Sequence, residues 1–358
     1  MTLRIDQWLP AAHRGDAIGD ESLRIRSVLR GAGFESEVYA LEIDEDAEGD
    51  VLPFAKRPDL TSDDIVILHF ALPSPMSEAF RQTAAKKILI YHNITPHEFF
   101  VGYDDELVRI SLEGRRELSR LSDVTDLALG DSEYNRIELH QRGFAETEVL
   151  PILLDFDHYL KTDVNPVIVE MFDDDRANFL FVGRIFPNKK FEDLLKFAFF
   201  YKKYVSENFR LILVGKAGRL ESYRLALQEL ADRWGLRPAE VLFTGHIAWD
   251  DLLAIYECSD LFLSMSEHEG FAVPLIESML KRVPVMAYAG GAVPDTLGGA
   301  GMLFTEKNYE ELAEMAHVIA TNEQVSDRLL VSQDRRLADF SPERVGAKLL
   351  GFVEEVAS

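Results

Sequence analysis

The chain has 358 residues, of which 47% are apolar, a formal net charge of −24 and one cysteine, Cys258. This length exceeds what one hydrophobic core usually holds, so it predicts two domains. The negative charge argues against a nucleic-acid partner and limits membrane contact to a local, peripheral patch. One cysteine excludes an intramolecular disulfide and is typical of a reducing compartment. The first residues lack a basic segment followed by an apolar run, so we expect a cytoplasmic protein without a secretory signal.

In the first half of the chain, short β-rich apolar runs alternate with helical patterns, which is typical of parallel α/β units. We expect these elements to form a first doubly wound domain over residues 1–165. The predicted strands are Leu3–Trp8, Ser36–Leu41, Ile65–Phe70, Lys87–His92, Asp126–Leu129 and Glu148–Pro151, and the predicted helices are Ser22–Arg30, Ser77–Ala85, Asp105–Leu121 and Ser132–Gln141.

The polar segment Asp155–Asp175 is interpreted as the connection to a second α/β series over residues 176–340. A final amphipathic helix is expected within 341–358, packed back towards the N-terminal domain. The predicted strands of the second series are Asn178–Val182, Arg210–Val214, Val241–Thr244, Leu261–Ser264, Val283–Tyr288 and Gly301–Phe304, and its helices are Phe191–Val205, Leu220–Trp234, Trp249–Glu257, Pro274–Lys281 and Tyr309–Thr321.

A basic loop directly follows the first strand of the second domain, with the sequence Val182-Gly183-Arg184-Ile185-Phe186-Pro187-Asn188-Lys189-Lys190. Gly183 permits a tight turn, and the side chains of Arg184 and Lys189 are expected at the carboxyl edge of the sheet. An arginine fork and a mobile lysine charge together suit a diphosphate. The alternative is a solvated basic loop, which is less favoured in so acidic a chain.

A second candidate segment follows the predicted strand Leu261–Ser264 and contains two glutamates, Glu269 and Glu277. Pro274 suits the first turn of a helix, so Glu269 is predicted in the preceding loop and Glu277 about one turn inside the helix. The amides around Gly270 and the helix start are suited to an anion. Glu269 is suited to accept hydrogen bonds from sugar hydroxyls and Glu277 from a ribose. The alternative is a glutamate pair that offsets the helix dipole.

In their order and spacing, these motifs resemble those of the retaining glycosyltransferases of family 4 (glycosyl transferases group 1). The resemblance rests on Gly183-Arg184 with Lys189, Gly245-His246-Ile247, Glu269-Gly270-Phe271 and Glu277, and in the first half on Tyr91-His92-Asn93 and the loop Gly15–Gly19. It implies the α/β GT-B fold, with two Rossmann-like doubly wound domains facing a central cleft. It also implies transfer of a hexose-type sugar from a nucleotide-diphosphate donor to a glycan or lipid-linked glycan.

The resemblance assigns a role to each matching donor-side residue. It implies that Arg184 and Lys189 bind the donor diphosphate and stabilise its departure, that Glu269 contacts the donor sugar, and that Glu277 binds the ribose. The resemblance also implies donor-binding positions that supply mostly backbone groups. Those at the sugar and phosphates are Gly183, Gly270, Phe271 and Ala272, and those near the nucleobase are Gly215, Lys216, His246 and Ile247. Ala272 stands where the family often has glycine.

On the acceptor side, the resemblance implies that His92 lies near the reacting carbon, and that Gly15, with Asp16 and Gly19, belongs to a loop that approaches the phosphates. The alternative for His92 is a hydrogen-bonded histidine at a strand end. A metal site built from His92 and His97 is disfavoured, because the sequence offers no evident third ligand nearby.

We expect a metal-independent enzyme without a cofactor, whose cations and loop amides stabilise the leaving diphosphate. The donor is expected to be a UDP-, GDP-, ADP- or dTDP-linked sugar, and the pathway to be surface polysaccharide or glycoconjugate synthesis. Two alternatives are a sugar-nucleotide epimerase of similar fold and a catalytically silent partner subunit. A nicotinamide dehydrogenase is disfavoured, because the glycines after residue 289 do not form a GxGxxG motif between a strand and a helix, as dinucleotide binding requires.

Overall fold

The computed structural model describes residues 3–13, 15 and 17–358. The chain divides into two compact units: the first contains Met1–Glu98, Glu106–Asp155 and Asp339–Ser358, and the second contains Phe99–Asp105 and Phe156–Ala338. Residues 156–165, which we had assigned to the first domain, therefore group with the second unit.

The first unit is a parallel α/β sheet domain. Over the described residues its strands join in the order β3-β2-β1-β4-β5-β6-β7, with every pair parallel. The central strand β4 pairs with β1, and Ile5 of β1 lies opposite Ile65 of β4. The elements are β1 (Ile5–Ala12), α1 (Ala17–Gly31), β2 (Val38–Ile43), β3 (Leu52–Pro53), β4 (Ile65–Phe70), α2 (Met76–Gln82), β5 (Lys86–Tyr91), α3 (Asp105–Leu121), β6 (Leu127–Gly130), α4 (Glu133–Gln141) and β7 (Thr147–Val149).

The second unit is a parallel α/β domain of the same kind. Its strands join in the order β10-β9-β8-β11-β12-β13, again with every pair parallel over the described residues. The elements are α5 (Phe156–Lys161), α6 (Pro166–Phe172), β8 (Ala177–Val182), α7 (Phe191–Tyr204), β9 (Phe209–Val214), α8 (Glu221–Arg233), β10 (Val241–Gly245), α9 (Trp249–Glu257), β11 (Leu261–Ser264), α10 (Val273–Leu280), β12 (Val285–Tyr288), α11 (Val293–Leu297), β13 (Met302–Phe304), α12 (Tyr309–Thr321) and α13 (Glu323–Leu337).

The C-terminal helix α14 (Pro342–Ala357) belongs to the first unit. Its apolar face, which includes Leu349 and Val353, is buried in the same cluster as Ile25 and Leu29 of α1. All six residues of β4 are buried, as expected for a central parallel strand covered by helices on both faces. Among the described residues, the helices are too short or too polar for any of them to cross a membrane.

Several predicted boundaries need correction. The first strand runs from Ile5 to Ala12 rather than from Leu3 to Trp8, and the first helix begins at Ala17. The segment predicted as a polar connection contains α5 and α6. Asn165 accepts a hydrogen bond from the Val167 amide at 3.0 Å and Pro166 occupies the first turn, so α6 has a normal helix start in spite of its polar surroundings. Helix α13 was also missed.

Candidate functional site

The predicted donor residues of the second unit lie in two loops at the switch point of its sheet. Strands β8 and β11 are neighbours, with β9 and β10 on one side and β12 and β13 on the other. Loop 183–190 follows β8 and loop 265–272 follows β11, so both leave the same carboxyl edge. The crevice at such a point is where open α/β sheets usually bind ligands.

An ion pair joins the two loops: Lys189 Nζ lies 2.5 Å from Glu269 Oε2. The lysine side chain is 19% exposed and the glutamate side chain 11% exposed, so the pair is largely shielded from bulk water. Arg184, five residues before the lysine, is exposed. The structure therefore brings Lys189 and Glu269 together, as the sequence led us to expect of one site.

Two hydrogen bonds and a second ion pair also join these two loops. Asn188 Nδ2 donates to the carbonyl oxygen of His268 at 2.9 Å, and the Glu267 amide donates to the carbonyl oxygen of Asn188 at 2.8 Å. Lys190 adopts a left-handed conformation, with φ of 56°, and its ammonium lies 3.5 Å from Glu267. These contacts limit the movement of the loops and preserve the spacing between their charged side chains.

Glu277 lies inside α10 and is buried, with a hydroxyl on each carboxylate oxygen. Tyr159 donates to Oε1 at 2.9 Å and Tyr256 donates to Oε2 at 2.6 Å. Burial raises the pKa of the Glu277 carboxyl, and the two tyrosine hydrogen bonds oppose that rise. The helix begins after Ala272, which has a φ of 66° where glycine would be unstrained. The two tyrosines were not predicted, because one lies on α5 and the other on α9.

The positions predicted near a nucleobase follow β9 and β10. Gly215 is in contact with loop 183–190, since a Cβ atom built on it would lie 1.9 Å from the carbonyl oxygen of Gly183. Lys216 and His246 are exposed and Ile247 is partly buried. These residues thus lie at the ends of the two strands next to β8, which is on one side of the switch point.

Two glycines after β12 lie against loop 265–272, and we did not predict them as site residues. A Cβ atom on Gly290 would lie 2.2 Å from the carbonyl oxygen of Ser266, and one on Gly291 would lie 2.5 Å from that of Glu269. The Ala292 amide donates to the Glu269 carbonyl at 2.9 Å. A glycine pair directly after a predicted strand is the signal that would have found them.

In the first unit, His92 follows β5 and lies in a buried hydrogen-bonded group that we call the histidine network. Its Nε2 lies 2.9 Å from Nδ1 of a second histidine, and its Nδ1 lies 3.2 Å and 3.8 Å from oxygens of two carboxylates. The His92 side chain is 3% exposed. The members of the network are Gln7 on β1, Glu21 on α1, His69 on β4, His92 and Asp131.

Burial dominates the electrostatics of this network. It raises the pKa of Glu21 to about 7 and also raises the pKa of Asp131, while the charge of His92 opposes both rises. Burial, together with the charge of His92, lowers the pKa of His69 well below its usual value. We had found no third group near His92 in the sequence; the fold brings Glu21 and His69 within reach of it. His97 instead pairs with Glu98, at 3.1 Å.

The residues predicted to approach the phosphates from the first unit lie around the start of α1. Gly15 is in an exposed turn with a φ of 72°, and Gly19 is already inside the helix. Asp16 lies outside the described residues. Next to the histidine network, Asn93 has a φ of 70°, a left-handed conformation that redirects the chain after β5.

Comparison with known proteins agrees with this architecture. The structure of Alr3699/HepE from Anabaena in complex with UDP-glucose matches with a TM-score of 0.75 and 17% identity, over 98% of this chain and 99% of that one. Residues 169–330 match the family model described as glycosyl transferases group 1. The chain therefore has the two-domain, Rossmann-like GT-B fold.

Curated relatives align with part of the same region. The serotype-specific mannosyltransferase WbdA of Escherichia coli is 25% identical over 162 residues, which are 45% of this chain and 20% of WbdA. O-antigen chain mannosyltransferase B of Escherichia coli is 26% identical over 140 residues, 39% of this chain and 35% of that protein. The aligned segment thus spans between about a fifth and a third of these relatives' own length.

Proposed function

We propose that this protein is a glycosyltransferase that moves a hexose-type sugar from a nucleotide-diphosphate donor to a glycan or lipid-linked glycan acceptor. The group 1 family match supports this proposal, as do relatives named as a serotype-specific mannosyltransferase and an O-antigen chain mannosyltransferase. The same relatives favour a step in surface polysaccharide or glycoconjugate synthesis. The HepE neighbour, solved with UDP-glucose, supports a nucleotide-linked sugar as the donor.

The observation that supports the proposal most directly is the Lys189–Glu269 ion pair at the switch point of the second sheet. A donor diphosphate offers Lys189 a stronger, doubly charged partner than one carboxylate. When the lysine turns to the diphosphate, Glu269 is released to accept hydrogen bonds from hydroxyls of the donor sugar. One exchange of partners therefore prepares both the leaving group and the sugar.

The reaction breaks the bond between the anomeric carbon and the diphosphate, so negative charge grows on the leaving oxygen. Arg184, Lys189 and the amides around Gly270 are the groups assigned to that charge, and fixed donors of this kind lower the barrier directly. Glu277 would use the second lone pairs of its oxygens for the ribose hydroxyls. We assign a retaining, metal-independent, same-face displacement, in which the departing phosphate accepts the proton of the acceptor hydroxyl.

The test is sugar transfer by Arg184→Ala and Lys189→Ala, measured with labelled UDP-, GDP-, ADP- and dTDP-linked glucose and mannose. We expect each substitution to lower kcat by roughly 10²–10³-fold, the effect of removing one donor to a developing oxyanion. Lys161→Ala is the matched control, because this lysine of the same unit is exposed and pairs with Asp157 on the surface. Wild-type turnover by both site variants would refute the assignment.

Other outcomes separate the competing functions. An isomerised sugar nucleotide formed without any acceptor indicates an epimerase, and tight donor binding without turnover indicates a silent partner subunit. The anomeric configuration of the product, determined by NMR, tests retention. Transfer that continues in excess chelator is the expected result for the metal-independent mechanism.

A further inference from the structure

The positions of the protons in the histidine network can be assigned from Gln7, because a hydrogen bond to Ser22 fixes the orientation of its side-chain amide. Gln7 Nε2 donates to the carbonyl oxygen of Ser22 at 2.9 Å, so its Oε1 is the atom that faces His69 Nε2 at 3.0 Å. An amide oxygen only accepts, and His69 Nε2 must therefore carry a proton. Because burial lowers the pKa of His69 and keeps its ring neutral, its Nδ1 is an acceptor.

The contact between the two histidines is then a hydrogen bond from His92 Nε2–H to His69 Nδ1. The ring planes are within 2° of parallel, the ring centres are 5.2 Å apart and the two nitrogens are 2.9 Å apart. The distance between the ring centres exceeds the distance between the nitrogens by 2.3 Å. This difference equals the two distances from a ring centre to its own nitrogen, so the centres and nitrogens lie on one line. The two nitrogens therefore point directly at each other. This geometry fits a proton between the nitrogens. A metal ion bound in the direction of both lone pairs needs nitrogens about 4 Å apart, which is twice a Zn–N bond.

His92 Nδ1 faces two buried carboxylates. Asp131 Oδ2 is the nearer, at 3.2 Å, and Glu21 Oε2 lies at 3.8 Å. Glu21 Oε1 accepts from the Leu153 amide at 3.0 Å, whereas Glu21 Oε2 and Asp131 Oδ1 are buried without a hydrogen-bond partner among the described atoms. One imidazolium offsets one carboxylate, and a second buried anion beside them would be uncompensated.

Among the residues that the structure describes, the further cation acting on Glu21 is Arg24, and it supplies little compensation. Arg24, on the same helix, bonds the Leu153 carbonyl at 3.4 Å and lies 3.9 Å from Asp20, and its side chain is 22% exposed. Its attraction for Glu21 is weaker than the effects of burial, His92 and Asp131. The contact from His92 Nδ1 to Asp131, at 3.2 Å, is shorter than the 3.8 Å contact to Glu21, so Glu21 is the carboxylate that the single imidazolium compensates less.

We propose that the histidine network is a proton-holding group in which His92 is an imidazolium and Glu21 retains its proton on the acid side of neutral pH. Glu21 and His69 are then positioning residues for His92. Both ring nitrogens of His92 bear protons that are committed to neighbours inside the first unit. The ring therefore acts through its charge and position, and it does not serve as a general acid or base. This assignment concerns the protein without substrate and is independent of the proposed transferase activity.

The test measures the protons directly in the full-length protein. In ¹⁵N-histidine NMR at pH 7, we expect His92 to show two protonated nitrogens and His69 one, with the two rings assigned by scalar coupling across their hydrogen bond. In infrared spectra, we expect the C=O band of a protonated carboxyl group at pH 6, fading as pH rises through about 7. Glu21→Gln should abolish this band, and Glu42→Gln, an exposed match on β2, should keep it.

Three results would overturn the proposal: a carboxyl band that is absent or that persists in Glu21→Gln, a His92 ring with one protonated nitrogen, or binding of one equivalent of Zn²⁺ that perturbs both histidine rings. The wild-type NMR and infrared measurements decide the matter even if the variant does not fold. None of these readouts uses a sugar nucleotide, so failure of the proposed function leaves them unaffected.

Discussion

Replacing Glu21 by glutamine is expected to stabilise the first unit above pH 7 and to change its stability little near pH 5. Glutamine has the shape of glutamic acid, and its amide carries no charge at any pH. Its oxygen can still accept from the Leu153 amide, which now bonds Glu21 Oε1 at 3.0 Å. The substitution therefore removes the titration of the network and keeps its hydrogen bonds.

The magnitude follows from the pKa of Glu21, which burial raises from 4.5 to about 7. At about 1.4 kcal/mol per pKa unit, this difference of about 2.5 units corresponds to about 3 kcal/mol. Because the folded state holds the proton more tightly, this contribution to the free energy of unfolding is fully present below pH 4.5. It is lost as pH rises from 4.5 through about 7. The amide variant keeps it, so above pH 7 the variant should exceed the wild type by up to about 3 kcal/mol.

The assay must report on the first unit alone, since a chain with two units need not unfold in one step. Of the three tryptophans, Trp8 lies buried on β1, while Trp234 and Trp249 belong to the second unit. In a Trp234→Phe/Trp249→Phe background, fluorescence during urea unfolding follows Trp8. The free energy of unfolding is then measured from pH 5 to pH 8.5, with Glu42→Gln as the control for loss of a surface charge.

Parallel stability curves for the wild type and Glu21→Gln would show that Glu21 does not hold a proton near neutrality. A variant that is less stable than the wild type at pH 8 would show that an ionised Glu21 is stabilising. Either result refutes the assignment of a protonated Glu21 beside the imidazolium of His92, from which the expected stability difference was derived. The control variant should follow the wild-type curve throughout.

Three further predictions concern the second unit. Glu269→Gln should lower the Kd for a nucleoside diphosphate, because its lysine partner is released, while kcat falls roughly 10²-fold; calorimetry and turnover would separate the two effects. Gly215→Ala forces a Cβ atom to within 1.9 Å of a backbone oxygen and should cost about 3 kcal/mol in urea unfolding, and an unchanged stability would contradict the close approach. Tyr256→Phe leaves an oxygen of buried Glu277 without its 2.6 Å donor and should cost about 1–3 kcal/mol, whereas Tyr204→Phe, at 53% exposed, should cost nothing measurable.

The sequence by itself determined the α/β class and most strands of both units, because short apolar runs between helical patterns can form little else. It also predicted that Lys189 and Glu269 belong to one site, although they are 80 residues apart in the chain. Each follows a predicted parallel strand, and the carboxyl ends of neighbouring parallel strands share one edge of the sheet. A local signal and a topological rule were sufficient for this part of the site.

Only the tertiary structure decided what surrounds His92 and Glu277. The partners of His92 come from β1, α1, β4 and the segment after β6, and those of Glu277 come from α5 and α9. No local pattern marks them, because their contacts depend on strand order, on register and on which side chains face inward. Burial then sets their protonation, since an ionisable group changes its pKa only when the fold removes it from water and places it beside other charges.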